Sequence, residues 1–328
     1  MDKQIASNDV LSDMLRVVRL TGSIFLKGSF GAPWAVASGG RRAVAHMLRP
    51  GAKHVTMFHM IVEGRCRIEL PGCDPVILEA GDLILLPFGD RHIMSNGDAL
   101  PVEADDMIAD LVAEGVMTFK HGEGANHTNF VCGFVQSSDL FFNPVFGTLP
   151  PLIVERAGQE PVTSSLANSA RLLLDEVEGL RPGSRELLGR LMEMLFVEML
   201  RRYAARLTPE TAGWLGALND PVVGRALQAI HAKPMEDWTV ESLALSVGAS
   251  RSVLAERFKG TLGQPPMQYL SAWRLQLATE MLRESRRSIA DIAAEIGYES
   301  EAAFNRAFKR HIGLPPGAWR DQAAGAPV

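Results

Sequence analysis

The sequence predicts an α+β chain of two domains: an N-terminal β-barrel, a helical connecting region, and a C-terminal all-α pair of helix-turn-helix units. Three observations carry that expectation. Short apolar runs bounded by turn residues fill the first part of the chain. A helical apolar rhythm follows, and the last third repeats itself. The divisions fall at 1–160 for the barrel, 161–217 for a helical dimerisation region and linker, and 218–328 for the repeat.

At 328 residues the chain is long enough for two cores of ordinary size. Hydrophobic residues at 47% and charged residues at 22% exclude a disordered or fibrous chain. No apolar run reaches the roughly 18 residues of a membrane span, and residues 1–18 carry acids where a secretory signal needs an apolar stretch. Three cysteines (Cys66, Cys73, Cys132) make no disulfide framework. The expected compartment is the reducing cytoplasm, with no membrane partner. The net charge of −5 hides an asymmetry: residues 218–328 hold 13 Lys and Arg against 12 Asp and Glu, whereas 1–217 hold 20 against 26. Total charge therefore does not decide whether the C-terminal part binds nucleic acid; local placement does.

The barrel rests on HVTMFHMIV (54–62), CRIEL (66–70), PVILEA (75–80) and DLILLPF (82–88), each short enough for a strand and bounded by Gly, Pro, Asn or Asp. Two helices follow at 164–180 and 184–207, separated by the Arg-Pro-Gly-Ser break. The second is apolar over much of its circumference (Leu187, Leu188, Leu191, Met192, Leu195, Phe196, Met199, Leu200), which fits packing against the barrel or a homodimer face. LTPETAGWLGA at 207–217 reads as a linker.

Residues 239–266 and 288–316 repeat each other at an offset of 49 to 50. Val240, Leu243, Ala244 and Val247 lead to Gly248; Ile289, Ile292, Ala293 and Ile296 lead to Gly297. Phe258-Lys259, Gly263 and Pro265-Pro266 answer Phe308-Lys309, Gly313 and Pro315-Pro316. A short helix, a glycine turn and a second helix make the helix-turn-helix pattern. Leu254 with Phe258, and Phe304 with Phe308, anchor each second helix. Its outer side then carries Ser250, Arg251, Ser252, Ala255, Glu256 and Lys259 in one copy, and Ser300, Glu301, Ala302, Asn305, Arg306 and Lys309 in the other. Arg306 suits a guanine edge and Asn305 an adenine edge. Glu256 suits a cytosine amine or offsets Arg257. The connecting helix from Pro266, about 18 residues or roughly 27 Å long, suits two recognition helices about one DNA turn (~34 Å) apart.

WTVESLA, the step from Arg274-Leu275 to Ala278, and SIADIAAEIGYESEAAFNRAFKRHIGLPPGAWR resemble the AraC family of regulators over residues 219–322. The resemblance implies binding to a double-stranded DNA operator. It implies base-reading positions at Ser252, Ala255 and Glu256 in the first unit, and at Glu301, Ala302, Asn305 and Arg306 in the second. Ser252 and Ala255 are small where the family often carries long polar groups, which implies thin readout by the first unit. RNA polymerase and a small-molecule effector are the further partners to expect.

Gly81, Pro87, Gly89, His92 and Asn96 match the second sequence motif of the cupin fold, and GAKHVTMFHMIVEG resembles a decayed first motif. Met57 stands about where a cupin metalloenzyme has its glutamate. Met57, His59 and Ile61 share one face of a strand, so His59 and His92 converge inside a cupin-like barrel. A zinc or other divalent metal there would need further ligands, with Cys132 or His127 as the leading candidates, and His121 and His54 behind them. The whole chain resembles AraC-type regulators with an N-terminal cupin ligand domain, and for part of that branch the resemblance implies a response to oxidants through cysteines. Here Cys132 lies in a matching VCGF segment, but Asn129 occupies the convenient partner position. Cys66 alternates with Ile68 and Leu70 and is expected buried; Cys73 lies in a turn. The leading expectation is a DNA-binding regulator, not an enzyme, whose cupin domain senses a small molecule, metal or oxidant. A metal-dependent cupin oxygenase or isomerase with an accessory DNA-binding domain, and a ligand-free dimer scaffold, are the alternatives.

Overall fold

A computed structural model of the chain describes residues 9–18, 20–42, 44, 52–104, 117–138, 144–157, 164–179, 181–208, 211 and 213–325. After helix α1 (Val10–Val18), the punctuated apolar runs become strands β1 (Leu20–Gly31), β2 (Trp34–Ser38), β3 (Ala52–Glu63), β4 (Arg65–Glu69), β5 (Val76–Glu79) and β6 (Asp82–Leu86). They continue as β7 (His92–Asn96), β8 (Val102–Glu103), β9 (Met117–His121), β10 (His127–Ser138) and β11 (Ile153–Arg156). Two sheets result, ordered β11-β6-β3-β10-β1-β9 and β5-β4-β7-β2-β8, antiparallel except where β1 meets β9 and β2 meets β8. The punctuated runs thus build two facing sheets rather than one closed ladder.

Strand alternation sets what fills the space between the sheets. Phe130, Cys132 and Phe134 of β10 stand opposite Ile61, His59 and Met57 of β3. With Phe30, Trp34, Ile68, Leu78, Ile84 and Met94 most of these form one apolar core drawn from both sheets. His59 is 4% exposed and His92 2%, so two polar rings lie inside an otherwise apolar interior.

Helices α2 (Ser165–Gly179) and α3 (Ser184–Arg206) follow. α3 lies directly on β1. A Cβ at Gly22 would meet the Gly189 carbonyl oxygen at 2.5 Å and Met192 Cβ at 2.6 Å, so glycine is what allows the approach. Leu188, Leu191, Met192, Leu195, Phe196, Met199 and Leu200 are all buried within the chain. At ~1.5–3 kcal/mol for each large side chain, this packing accounts for the apolar circumference. Leu195, on the helix read as packing against the barrel or forming a dimer face, is 0% exposed within the chain and so belongs to its core. Leu172, Leu187 and Met194 are the large apolar residues these two helices leave exposed.

The remaining helices are α4 (Trp214–Ala217), α5 (Val223–Ala232), α6 (Val240–Ser246), α7 (Arg251–Leu262), α8 (Pro266–Glu284), α9 (Ile289–Glu295), α10 (Glu301–Ile312) and α11 (Pro316–Gly325). The stretch read as a linker at 207–217 contains α4, whose Trp214, Leu215 and Ala217 are buried. Trp214 Nε1 donates to the Tyr269 hydroxyl at 2.9 Å, and that hydroxyl lies 2.9 Å from His231 Nε2. Residues 214–217 are therefore core, disguised by the Gly, Thr and Pro around them in sequence.

The chain divides into two units. The β-rich unit holds β1 to β11, α2 and α3 as far as Tyr203. The helical unit holds everything from Ala204 onward, and also takes α1 and the short 3-10 turn Phe146–Thr148 from the span expected for the barrel. α1 packs against α5 and α8. Val10, Met14 and Val17 are buried at helical spacing, and Asp13 Oδ2 lies 3.7 Å from His231 Nδ1.

Candidate nucleic-acid interface and a buried histidine chain

Each helix-turn-helix unit is assembled by the same local devices. Thr239 and Ser242 form a capping box on α6, and Ser288 Oγ accepts from Asp291 N–H on α9. Gly248 (φ 68°) and Gly297 (φ 85°) take the left-handed conformation in the two turns. Ser250 Oγ then accepts from Val253 N–H at 3.3 Å, and Ser300 Oγ from Ala303 N–H at 3.2 Å. Both serines, expected among the outward polar groups, are therefore engaged as N-caps. Leu254, Phe258, Phe304 and Phe308 are fully buried, as their spacing implies.

The expected base-reading residues lie on the opposite sides of α7 and α10. Arg251, Ser252, Glu256, Glu301, Ala302, Arg306 and Lys309 are exposed, while Ala255 and Asn305 are half-buried. Arg251 Nε pairs with Glu241 Oε1 at 2.8 Å, with both side chains more than half exposed. A pair this wet is worth little, so it does little to hold Arg251 in place. Arg257 has a different task. Its Nη2 donates to Asp220 Oδ2 at 2.7 Å, while Asp220 Oδ1 accepts from the N–H groups of Val222 and Val223 at the start of α5. Those bonds and the Arg257 charge hold the Asp220 carboxyl below its usual range against the opposing effect of burial. Glu256 is thus not needed to offset Arg257.

In the β-rich unit, the parity of β3 and β10 brings Cys132 beside His59, and β7 of the other sheet brings His92 to them. His59 Nδ1 lies 2.8 Å from Cys132 Sγ, and His59 Nε2 lies 2.9 Å from His92 Nε2. His92 Nδ1 lies 2.9 Å from the Asp90 carbonyl oxygen, which can only accept. With both rings neutral, one proton arrangement satisfies every contact. His92 Nδ1–H donates to Asp90, His59 Nε2–H donates to His92, and the Cys132 thiol donates to His59 Nδ1. Burial lowers the pKa of His59 well below the ordinary histidine value, with His92 adding to it; burial likewise lowers His92. Burial pushes the Cys132 thiol up, and pushes Cys66 up to about 12 with help from Asp82.

In this geometry the expected metal donors do not converge on one point. Cys132 and His92 occupy opposite nitrogens of the same ring, so an ion held at His59 Nε2 is out of reach of the thiol. His127 is exposed at the start of β10, five residues from Cys132 and hence of opposite strand parity. Among the described residues no group of three or more His, Cys, Asp or Glu side chains is arranged to hold a metal ion. His121 is packed beside the Phe30 and Phe119 rings, and His54 pairs with Ser137 across the β3–β10 ladder. The donor set does not fit a divalent cation. The sequence supplied the strand parity but not the ring orientations, nor the Asp90 carbonyl that fixes the tautomers.

Two measurable consequences follow from the buried groups. Folding holds His59, His92 and, by the same desolvation, His231 neutral, while the unfolded chain protonates them near ~6.5. Their stabilising contribution is therefore complete above that pH and is lost as pH falls below it toward the lowered folded values. The thermal midpoint should drop between about pH 7.5 and about pH 5.5, less steeply in His59→Gln; a flat wild-type profile across that window contradicts the assignment. Because the thiolate is the reactive form, native protein titrated with a chromogenic disulfide should release the equivalent of Cys73 rapidly. Cys66 and Cys132 should follow only on denaturation, and rapid native reaction of either would show that its burial is wrong.

A cupin family model matches residues 9–205, and a helix-turn-helix domain model matches residues 243–322. An AraC-like transcription regulator of Streptomyces lividans is 34% identical over 95% of this chain and 98% of its own. The HTH-type transcriptional regulator AlkR of Acinetobacter baylyi is 30% identical, over 96% of this chain and 100% of its own. The RCS-specific HTH-type transcriptional activator RclR of Escherichia coli is 26% identical, over 96% and 98%. Among the described residues no helix is long and apolar enough to cross a membrane. With two capped helix-turn-helix units behind a two-sheet sensor domain, the chain belongs to the AraC family of DNA-binding transcriptional regulators that carry an N-terminal cupin domain.

Proposed function

We propose that this regulator reads a single operator with both recognition helices, under the control of a small-molecule effector acting on the β-rich unit. The observation that carries the first half is the repetition of one capped unit on either end of α8, whose 19 residues span about 28 Å. That length suits two major-groove contacts about one turn apart (~34 Å) on one face of the duplex. In this reading Ser252, Ala255 and Glu256 meet base edges from α7, and Glu301, Ala302, Asn305 and Arg306 from α10. Arg251 and Lys309 hold phosphates.

Control rests on chain connectivity. α1 packs in the helical unit yet is separated by one residue from β1, and the turn Phe146–Thr148 lies between β10 and β11 but packs in the helical unit as well. A ligand that binds one conformation of the β-rich unit better than another has these covalent routes to the DNA-binding unit. The neutral, protonated Cys–His–His chain does not support sensing of a metal, a thiol-based oxidant switch or a metal-dependent enzyme. Full-length relatives named as regulators support the non-enzymatic reading, and the Escherichia coli relative, a transcriptional activator, supports activation, for which RNA polymerase is the partner we propose. Action on operator DNA supports a cytoplasmic location.

Selection of full-length protein on genomic fragments, followed by footprinting at stated salt, tests the DNA reading. Two protected patches ~10 bp apart, weakened at least about tenfold by Asn305→Ala/Arg306→Ala, are expected. Sequence-blind binding that disappears with salt would refute it. A homodimer is supported by Leu187 and Met194, exposed apolar residues one heptad apart on α3. Light scattering should give the mass of a dimer that halves in Leu187→Glu/Met194→Glu; a wild-type monomer, or a mass untouched by the change, would rule out this edge.

A further inference from the structure

We propose that Val253 is a base-reading residue of the first helix-turn-helix unit and that it takes the C5 methyl group of a thymine. The inference rests on the reading that α7 enters the major groove. Val253 is 42% exposed on α7, although every neighbouring apolar anchor of that helix is buried: Leu254 and Phe258 are both at 0%. Core packing therefore does not explain it. Helix formation does not either, because a β-branched residue is a poor choice at an exposed helical position.

Its placement does. Residue 253 lies beside Ser252 and three positions before Glu256, so its methyl groups and the Glu256 carboxylate are neighbours on the helix surface. The second unit differs at each matching place. Ala303 stands for Val253 and is half-buried, Asn305 stands for Ala255, and Arg306 for Glu256. α10 thus offers hydrogen-bond donors for purine edges, whereas α7 offers methyl groups and a carboxylate.

In the major groove the thymine methyl is the apolar feature of the base edges, and the cytosine amine is the donor a carboxylate accepts from. A branched side chain with few rotamers loses little freedom when it is covered. The small Ser252 and Ala255, which leave the first unit short of long polar readers, also leave room for Val253 to approach. The first half of the operator is read through a thymine methyl beside a cytosine amine, and the second half through purine edges.

The test uses full-length protein and a random-sequence duplex library. Each thymine of the enriched sequence is then replaced by deoxyuridine, which pairs identically but lacks the methyl group. Wild type should lose ~3- to 10-fold in affinity at one thymine under the first unit, and Val253→Ala should be equally weak on both DNAs. Val253→Thr, which keeps one methyl group and the branching, should fall between. A uracil scan that is flat, or a loss that persists undiminished in Val253→Ala, overturns the assignment of Val253. If that scan is flat while Asn305→Ala/Arg306→Ala still abolishes the enrichment, Val253 alone is misassigned and base reading stands. If no sequence is enriched, base reading itself has failed and the Val253 assignment falls with it.

Discussion

Helix α8 is the constraint on which the DNA-binding unit depends. Its first half sets the Tyr269 ring edge-on to Phe258 of the first helix-turn-helix unit at 5.7 Å and stacks Trp273 on His231 of α5 at 4.3 Å. Its second half sends Leu275, Ala278 and Leu282 into the core that also holds Phe304, Phe308 and Trp319. Between them sits Arg274. It donates from Nε to the Pro234 carbonyl and from Nη2 to that of Glu236, while its guanidinium backs onto Gly297, where a Cβ would lie 3.0 Å from Nη1. One side chain thus pins the loop entering the first unit and the turn of the second. Two recognition helices held this way are presented to DNA without an ordering cost at the moment of binding, which is the main expense of a flexible pair.

The β-rich unit answers a different demand. A polar group buried without a partner costs on the order of 1–3 kcal/mol, and an interior with two imidazoles has four ring nitrogens to satisfy. The chain from Cys132 through His59 and His92 to the Asp90 carbonyl satisfies all four with neutral groups, and it crosses from one sheet to the other. A metal ion would solve the same problem only if the donors converged, and these run in series. Position 57 is consistent with that solution, since its methionine is packed in the apolar core and offers no charge to balance a cation.

Much of this was legible in the sequence because it depends on local periodicity. The strands at 54–62, 66–70 and 82–86, the paired helix-turn-helix units and the convergence of His59 with His92 all follow from side-chain parity or repeat spacing. What stayed hidden depends on partners far along the chain. An apolar circumference on α3 says that the helix is covered but not by what; Gly22 and Gly133 of the sheet, nowhere near it in sequence, decide that. Trp214 was lost among Gly, Thr and Pro because its burial follows from the Tyr269 hydroxyl 55 positions away. Which nitrogen of His59 faces which neighbour is a matter of ring orientation between two sheets, and no strand pattern encodes it.

The two helix-turn-helix units also show which positions a duplication is free to change. Core and cap positions keep their chemistry: Leu254 with Phe304, Phe258 with Phe308, Ser250 with Ser300, Gly263 with Gly313. Each meets α8 or an orphan N–H or C=O, so packing and hydrogen bonding hold it fixed. Reading positions diverge in charge as well as size, Ala255 against Asn305 and Glu256 against Arg306. α10 ends in Lys309, Arg310 and His311, whereas α7 places a carboxylate at the centre of its outer face. In the docking proposed above, phosphates repel that carboxylate and a base donor suits it. α7 and α10 nevertheless carry the same formal charge, Arg251, Arg257 and Lys259 against Glu256 in one and Arg306, Lys309 and Arg310 against Glu301 in the other. What the duplication has changed is where the charges stand along each helix, not their balance.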